Sequence, residues 1–269
     1  MMDYKQMKET KFVENQYSNA QNLELRKDFH RKYSTNREGL GKWLVRQYKF
    51  SPGMKILELG SGKGDLWTEV LDELINKKCQ LVLSDLSSGM VDIMSEIYKN
   101  KPIEVKAIDI QSIPFEDDTF DVVIANAMLY HVPDLNKALG EVARVLKPSG
   151  CFYASTFGQK GISQFIDESL QTLELSSKRC SEINFTLQSG KNSLSNHFSY
   201  VDIREYHDGL EVSDTKDLIA YILSMTSMMD SVITSQENIN KMTDYFNGLK
   251  NEFGILAIAK EYGSFVCKK

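Results

Sequence analysis

No apolar run in the 269-residue sequence approaches the roughly 20 residues that a membrane-spanning helix requires. Cysteine is scarce as well: Cys79, Cys151, Cys180 and Cys267 are scattered without CxxC spacing. That pattern argues against a disulfide framework or a cysteine-built metal site. Three of the four lie in or beside strand-like runs, where cysteine behaves as a small hydrophobe. No internal repeat and no low-complexity tract is found. The opening stretch MMDYKQMKETKF has no apolar core of the kind a signal peptide carries, so a cytoplasmic location is expected. Positive charge is in deficit, with 32 Lys and Arg against 37 Asp and Glu. A net charge of −5 argues against a protein that coats nucleic acid. Residues 157–250 likewise lack basic clusters interleaved with aromatics.

The deficit is uneven. Residues 1–49 carry 11 Lys and Arg against 6 Asp and Glu, whereas the rest of the chain carries 21 against 31. The basic segment reads either as a solvated helical face or as a lid over an acidic substrate. It contains Tyr17, His30, Arg31 and Tyr33 around DFHRKYSTNREG, where a helical lid bearing aromatics would lie.

From about residue 54 to 156 strand-like and helix-like stretches alternate. MKILEL, QLVLSD, IEVKAID, FDVVIAN and CFYAST are short, β-branched-rich runs of the kind buried in parallel sheets. Between them DLWTEVLDELINKK, SGMVDIMSEIYKN and DLNKALGEVARVLK have helical character. In the last, Leu135, Ala138, Leu139, Val142, Val145 and Leu146 form a core-facing stripe. Pro148-Ser149-Gly150 then ends the helix and turns the chain into a strand. Such repeated units imply a doubly wound, mostly parallel α/β sheet with helices on both faces. Later, ISQFIDESLQTLEL reads as a helix, and a Ser/Asn-rich stretch follows it. YVDIREYHDGLEV reads as a strand and a turn at Asp208-Gly209. Two helices are expected near 214–229 and 235–250, and ILAIAKEYGSFVCKK reads as a hairpin turned near Tyr262-Gly263. The expected organisation is a helical lid over 1–49, a core over 50–156, and cap helices with completion of the sheet over 157–269.

ILELGSGKGD, residues 56–65, follows the first strand and opens a helical stretch. Its glycines, Gly60, Gly62 and Gly64, are spaced G-x-G-x-G rather than the wider G-x-G-x-x-G of dinucleotide sites. Glycine suits a loop whose backbone must approach a ligand closely at positive φ, and a helix start offers unpaired amides. Asp85 ends the next strand 21 residues beyond Gly64, where a carboxylate can accept from two ribose hydroxyls. It can equally cap the helix beginning at Ser87-Ser88. Asp109 closes the third strand in KAIDIQSIPF, where an acid or the neighbouring backbone can read an adenine amino group.

Together Glu58-Leu59-Gly60-Ser61-Gly62-Lys63-Gly64, Asp85, Asp109 and FDVVIANAMLYHVPDL closely resemble the class I S-adenosylmethionine-dependent methyltransferases, particularly the quinone-biosynthesis-type and other small-molecule members. The resemblance covers about residues 50–156. It implies a Rossmann-like seven-stranded sheet with an antiparallel last strand, and S-adenosylmethionine as cofactor without a metal. It places the cofactor against Glu58, Gly60, Ser61, Gly62, Gly64, Asp85, Leu86, Met90, Asp109, Ile110, Asn126, Ala127 and His131. It implies methyl transfer to an O, N or C atom of a small acceptor by a monomer or homodimer, with no membrane and no nucleic-acid partner. A macromolecular acceptor, tRNA or protein, is the alternative, and a non-catalytic cofactor-binding regulator is a third.

The methyl donor is already activated, so alignment and desolvation carry much of the rate and a base is optional. Tyr130 and His131 follow the fourth strand where side chains can face the methyl group. His131, with an ordinary pKa of about 6.5, can serve as a base, or it can pack on the cofactor or bond a loop carbonyl. The Asn/Asp-Pro-Pro-Tyr/Phe signature of many nucleic-acid and protein amino-group methyltransferases is missing. Tyr17, Arg31 and Tyr33 are the lid candidates. His197 and His207 read as surface or structural residues. Met225, Met228 and Met229 read as core, although methionines also line adaptable pockets.

Overall fold

The computed structural model describes residues 20–175, 184–225 and 231–269; Tyr17, Cys180, Met228 and Met229 lie outside the described residues. Seven strands form one sheet: β1 (Lys55–Leu59), β2 (Gln80–Asp85), β3 (Ile103–Ala107), β4 (Phe120–Asn126), β5 (Leu146–Phe157), β6 (Tyr200–Val212) and β7 (Leu256–Lys268). Their spatial order is β3-β2-β1-β4-β5-β7-β6. Only β7 is antiparallel to its neighbours, as the expected fold class requires. Strand order reverses between β1 and β4, so their connections leave on opposite faces and open a crevice at the strands' C-terminal ends.

Around the sheet lie α1 (Ala20–Tyr33), α2 (Leu40–Gln47), α3 (Leu71–Asn76), α4 (Ser88–Ile97), α5 (Leu135–Val145), α6 (Ile162–Thr172), α7 (Leu187–Ser195), α8 (Thr215–Leu223) and α9 (Gln236–Gly248). The central strands are apolar on both faces because both are covered. Leu57, Val123 and Phe152 pack with Ala138, Leu139 and Val142 of α5 and Leu194 of α7. On the opposite face Ile56, Leu83 and Ile124 pack with Leu44 of α2, Trp67 and Met94 of α4. The stripe expected on α5 is therefore the buried one, and the Asp134 carboxylate caps the helix by accepting from the Lys137 amide at 2.9 Å. Among the described residues no helix is long and apolar enough to cross a membrane.

Two expected turns are not turns. β6 and β7 are each 13 residues long and pair continuously from Tyr200↔Lys268 to Val212↔Leu256. Asp208-Gly209 and Tyr262-Gly263 both sit inside this ladder. β5 reaches β7 only over residues 262–268, so the other end of the ribbon overhangs the sheet. The overhang has its own core: Leu210, Val212, Leu256 and Ile258 pack with Phe29 and Tyr33 of α1, Ile166 of α6, Ile222 of α8 and Phe246 of α9. Two long strands extended past the sheet are what carry the cap. Gly263 is needed for close approach, since a Cβ there would lie 2.5 Å from the Arg204 carbonyl oxygen and 3.0 Å from Leu187 Cδ2.

Three further departures are local. The helix expected after the glycine loop is broken into a 3-10 turn, Asp65–Trp67, and the six-residue α3. The loop therefore gains little from a helix dipole. The Ser/Asn-rich stretch hides α7, started by a capping box in which the Thr186 hydroxyl accepts from the Ser189 amide and the Ser189 hydroxyl accepts from the Thr186 amide. Asp109 lies two residues beyond β3 rather than at its tip.

Candidate active site

The crevice between β1 and β4 gathers most of the residues singled out in the sequence. β1 ends at Leu59 and the chain turns through Gly60, Gly62 and Gly64, with φ of 69°, 59° and 74°. Gly60 is also pressed from the other side of the crevice, because an added Cβ would lie 2.9 Å from Met128 Cβ. Gly62 differs: a Cβ there would meet nothing within 4 Å, so its backbone faces open space. The loop is tied to β2 by buried Ser84. The Ser61 amide donates to the Ser84 carbonyl at 2.8 Å, and the Ser84 hydroxyl donates to the Glu58 carbonyl at 2.8 Å.

Asp85, at the end of β2, accepts one amide on each carboxylate oxygen: Ser87 on Oδ1 and Gly62 on Oδ2, both at 2.9 Å. Burial pushes its pKa up, and these amides oppose the shift. Asp85 thus stabilises the start of α4 and fixes the glycine loop at once. Each oxygen keeps a second lone-pair direction for a hydroxyl. Asp109 is half-buried and accepts from the Gln111 amide at 2.8 Å. Leu86 is half-buried beside Asp85, whereas Met90 and Ile110 are enclosed and leave little side-chain surface.

Glu58 faces the interior. Its carboxylate is 2% exposed and accepts from Trp67 Nε1 at 2.6 Å and from Asn126 Nδ2 at 3.1 Å. Burial raises its pKa, partly countered by bonds from Trp67, Ser61 and Asn126. The network continues under the crevice. Asn126 Nδ2 donates to Tyr48 Oη at 2.8 Å, and Ser155 Oγ donates to Asn126 Oδ1 at 2.9 Å. Tyr262 Oη lies 3.1 Å from Ser155 Oγ, and since the Ser155 proton is already committed, Tyr262 is the donor. Burial holds Tyr48 well above the usual tyrosine range and pushes Tyr262 up to about 12, so both phenols stay protonated. Glu58, Asn126, Ser155 and Tyr262 come from four adjacent strands and fix the floor of the site.

The sequence reading named Glu58 and Asn126 but missed Tyr48, Trp67, Ser84, Ser155 and Tyr262. A signal existed for part of it: Glu58, Ser84, Asn126 and Ser155 are polar interruptions near the C-terminal ends of otherwise apolar strands.

β4 leaves the sheet through Ala127, a non-glycine residue at φ 50°, and then a short 3-10 turn, Leu129–His131. Tyr130 packs between His131 and Phe157, with ring centroids 4.4 and 4.7 Å away. Burial, aided by the charge of Arg26, pulls the His131 pKa down to about 4. The imidazole is neutral at pH 7, and so weak a base matches poorly to removing a hydroxyl proton.

Helix α1 reaches this site through residues other than those expected. Lys63 of the loop donates to Glu24 at 2.8 Å, and Lys27 donates to Asp65 at 2.5 Å. Arg31 instead pairs with Asp28 on the exposed side at 2.7 Å, and the Tyr33 hydroxyl donates to Asp217 of α8 at 2.7 Å. Arg31 and Tyr33 therefore serve the helix and the cap. His197 bonds Asn136 at 2.8 Å, and Met225 packs against the cap core.

Against known proteins, the family described as Methyltransferase domain matches residues 50–200. The ubiquinone/menaquinone biosynthesis C-methyltransferase UbiE of Vibrio vulnificus is 33% identical over 103 residues. That match spans 37% of this chain and 39% of the relative, so about two-fifths of each is compared. Among solved structures, the YcgJ protein of Bacillus subtilis superposes with a TM-score of 0.58 at 17% identity, covering 85% of this chain and 97% of that one. Phosphoethanolamine N-methyltransferase 2 of Haemonchus contortus, in complex with S-adenosyl-L-methionine, gives 0.54 at 16% identity, covering 85% and 52%. These two likenesses establish the shared fold.

Proposed function

The chain belongs to the methyltransferase-domain family, and we propose that it transfers a methyl group from S-adenosylmethionine to an O, N or C atom of a small-molecule acceptor. The observation that carries this reading is the coupling of the three-glycine loop to Asp85 through the Gly62 amide, at the crevice between β1 and β4. The residues fit such a cofactor. Gly62 turns bare backbone to open space, Asp85 keeps acceptor directions for a vicinal diol, and Asp109 with its following backbone stands two residues past the end of β3. S-adenosylmethionine supplies, when bound, a methyl group on a sulfonium centre already activated for displacement.

The protein's part is to hold and to exclude. Gly60, Ser61, Gly62 and Gly64 shape the loop, and Asp85, Leu86 and Asp109 take the nucleoside side. Asn126 and Ala127 form the wall at the donor end. Met90 and Ile110 back the nucleoside side from within the fold. Glu58 acts as a positioning residue that orients Asn126 and Trp67. Tyr130 and His131 stand at the reacting centre, His131 as a neutral contact rather than a base. α1, tied to the loop through Glu24 and Lys27, keeps water from the transfer site. A small acceptor is supported by the quinone-type relatives and by a cap of packed helices.

Calorimetric titration tests the reading. Wild-type protein is expected to bind S-adenosylmethionine and S-adenosylhomocysteine, and Asp85→Ala to weaken both by about tenfold or more, through loss of charge-assisted bonds. Equal affinity in the two proteins would refute the assignment of this loop.

A further inference from the structure

α1 is anchored at both ends. Glu24 and Lys27 hold it to the glycine loop, and Phe29 packs on Tyr221 of α8 with centroids 4.8 Å apart. Arg26 lies between Glu24 and Lys27. Of the Lys and Arg residues in α1, Lys27, Arg31 and Lys32 each pair with a carboxylate: Asp65, Asp28 and Asp217. Arg26, although half-buried, has neither an ion pair nor a side-chain hydrogen bond among the described residues. A guanidinium withdrawn from water normally keeps a counter-charge.

Its surroundings show where it acts. One helical turn on, the His30 ring packs edge-on against Tyr221 of α8 with centroids 5.4 Å apart, and the Arg26 charge bears on both rings and on His131 beyond β4. Burial first, then Lys260 and Arg26, bring the His30 pKa to about 4 even though Asp208 opposes them. The His30 ring is thus neutral at pH 7. Its Nε2 lies 3.4 Å from the Tyr221 hydroxyl, and its Nδ1 is buried with no partner. With Nε2 accepting from Tyr221, Nδ1 carries a proton that nothing among the described residues receives. Among the described residues, an uncompensated cation and an unused N–H donor therefore stand one turn apart on α1, beside Tyr221 of the cap.

We propose that Arg26, with His30 beside it, binds an anionic group, a carboxylate or phosphate, on the acceptor. This rests on the methyl-transfer reading and adds the acceptor's chemical class. An arginine fork matches either anion with two parallel bonds, and the desolvated setting strengthens them. The donor's own carboxylate is the other possible source of negative charge. The placement favours the acceptor: Glu24 and Lys27 face the glycine loop, whereas Arg26 stands one turn before His30, whose ring packs on Tyr221 of the cap. The basic balance of the N-terminal segment agrees with an acidic ligand beneath it.

Three proteins, wild type, Arg26→Gln and Arg26→Lys, separate these cases by calorimetry. S-adenosylhomocysteine is titrated first, then benzoate, phenyl phosphate and the neutral benzamide into the saturated protein. In wild type, benzoate or phenyl phosphate is expected to bind about tenfold or more tightly than benzamide. Arg26→Gln should abolish that preference with nucleoside affinity changed by less than about twofold, and Arg26→Lys should restore part of it. No preference in wild type, or a preference that survives in Arg26→Gln, would overturn the proposal. So would a fall in nucleoside affinity in Arg26→Gln, which would assign the guanidinium to the donor's carboxylate. If wild type bound no nucleoside, the donor reading would fail by itself, and the same anion titrations on the ligand-free protein would still decide the subsite.

Discussion

At Gly60 and Gly62 one residue type meets two different demands, and substitution should separate them. Gly60 combines a φ of 69° with Met128 packed where its Cβ would go, whereas Gly62 has a φ of 59° and empty space. Gly62→Ala should cost about 1–2 kcal/mol from left-handed strain alone. Gly60→Ala should cost more, because Met128 must also move, by a further ~1–3 kcal/mol of overpacking. Donor affinity should show the reverse contrast, with Gly62→Ala losing the most relative to its stability change. Denaturant unfolding and calorimetry on the same two variants check both orders. Asp85 is likewise more than one kind of residue. The capping and ligand readings of its carboxylate are compatible, since it accepts the Ser87 amide while holding Gly62.

At the scale of elements, the β6–β7 ribbon explains why Asp208 and Gly209 resemble a turn without being one. Asp208 accepts from the hydroxyl of Ser34, from the Asn36 amide at 2.9 Å and from Lys260 Nζ at 2.6 Å. The Gly209 amide donates to Thr35 Oγ1 at 2.9 Å. This stretch of strand is where the segment after α1 docks. Burial pushes the Asp208 carboxyl up, but Lys260, Ser34 and the Asn36 amide together hold it below the usual carboxylate range. Asp208→Ala leaves Lys260 buried and unpaired, and is expected to destabilise by about 3–5 kcal/mol in chemical unfolding. The two ribbon glycines should differ. Gly263→Ala, facing a backbone oxygen at 2.5 Å, should cost about 1–3 kcal/mol. Gly209→Ala, whose nearest contact would be 3.5 Å, should cost under ~1 kcal/mol. A turn requiring positive φ at Gly209 would give the opposite order.

For the whole molecule, buried titratable groups set an acid-side profile with opposing contributions. His30 and His131 have folded pKa values near 4 against an ordinary 6.5, so in acid the unfolded chain takes up their protons first. Their stability contribution is complete above pH 6.5 and falls away as pH drops toward 4. Glu58 works the other way. Its folded pKa lies above the ordinary 4.5, so the cost of burying its charge is relieved as pH falls toward that value. His131→Gln should flatten the decline in unfolding free energy between pH 6.5 and 4, and Glu58→Gln should steepen it. Urea titrations across that range read both slopes. Much of the fold was legible beforehand: the apolar strands fixed their own period, the α5 stripe its buried face, and the glycine loop its place after β1. The polar floor was legible only in outline, because Tyr48 and Tyr262 reach Asn126 and Ser155 from 78 and 107 residues away along the chain. Arg26 could not be told from its basic neighbours by sequence, since all sit on one helix and differ only in what stands opposite them. Local pattern by itself determined the parallel α/β core and the loop that identifies the donor, because both depend on spacing within a few residues. Which glycines turn the chain, and which cation lacks a counter-charge among the described residues, were decided by the tertiary structure, because each depends on partners far away in sequence.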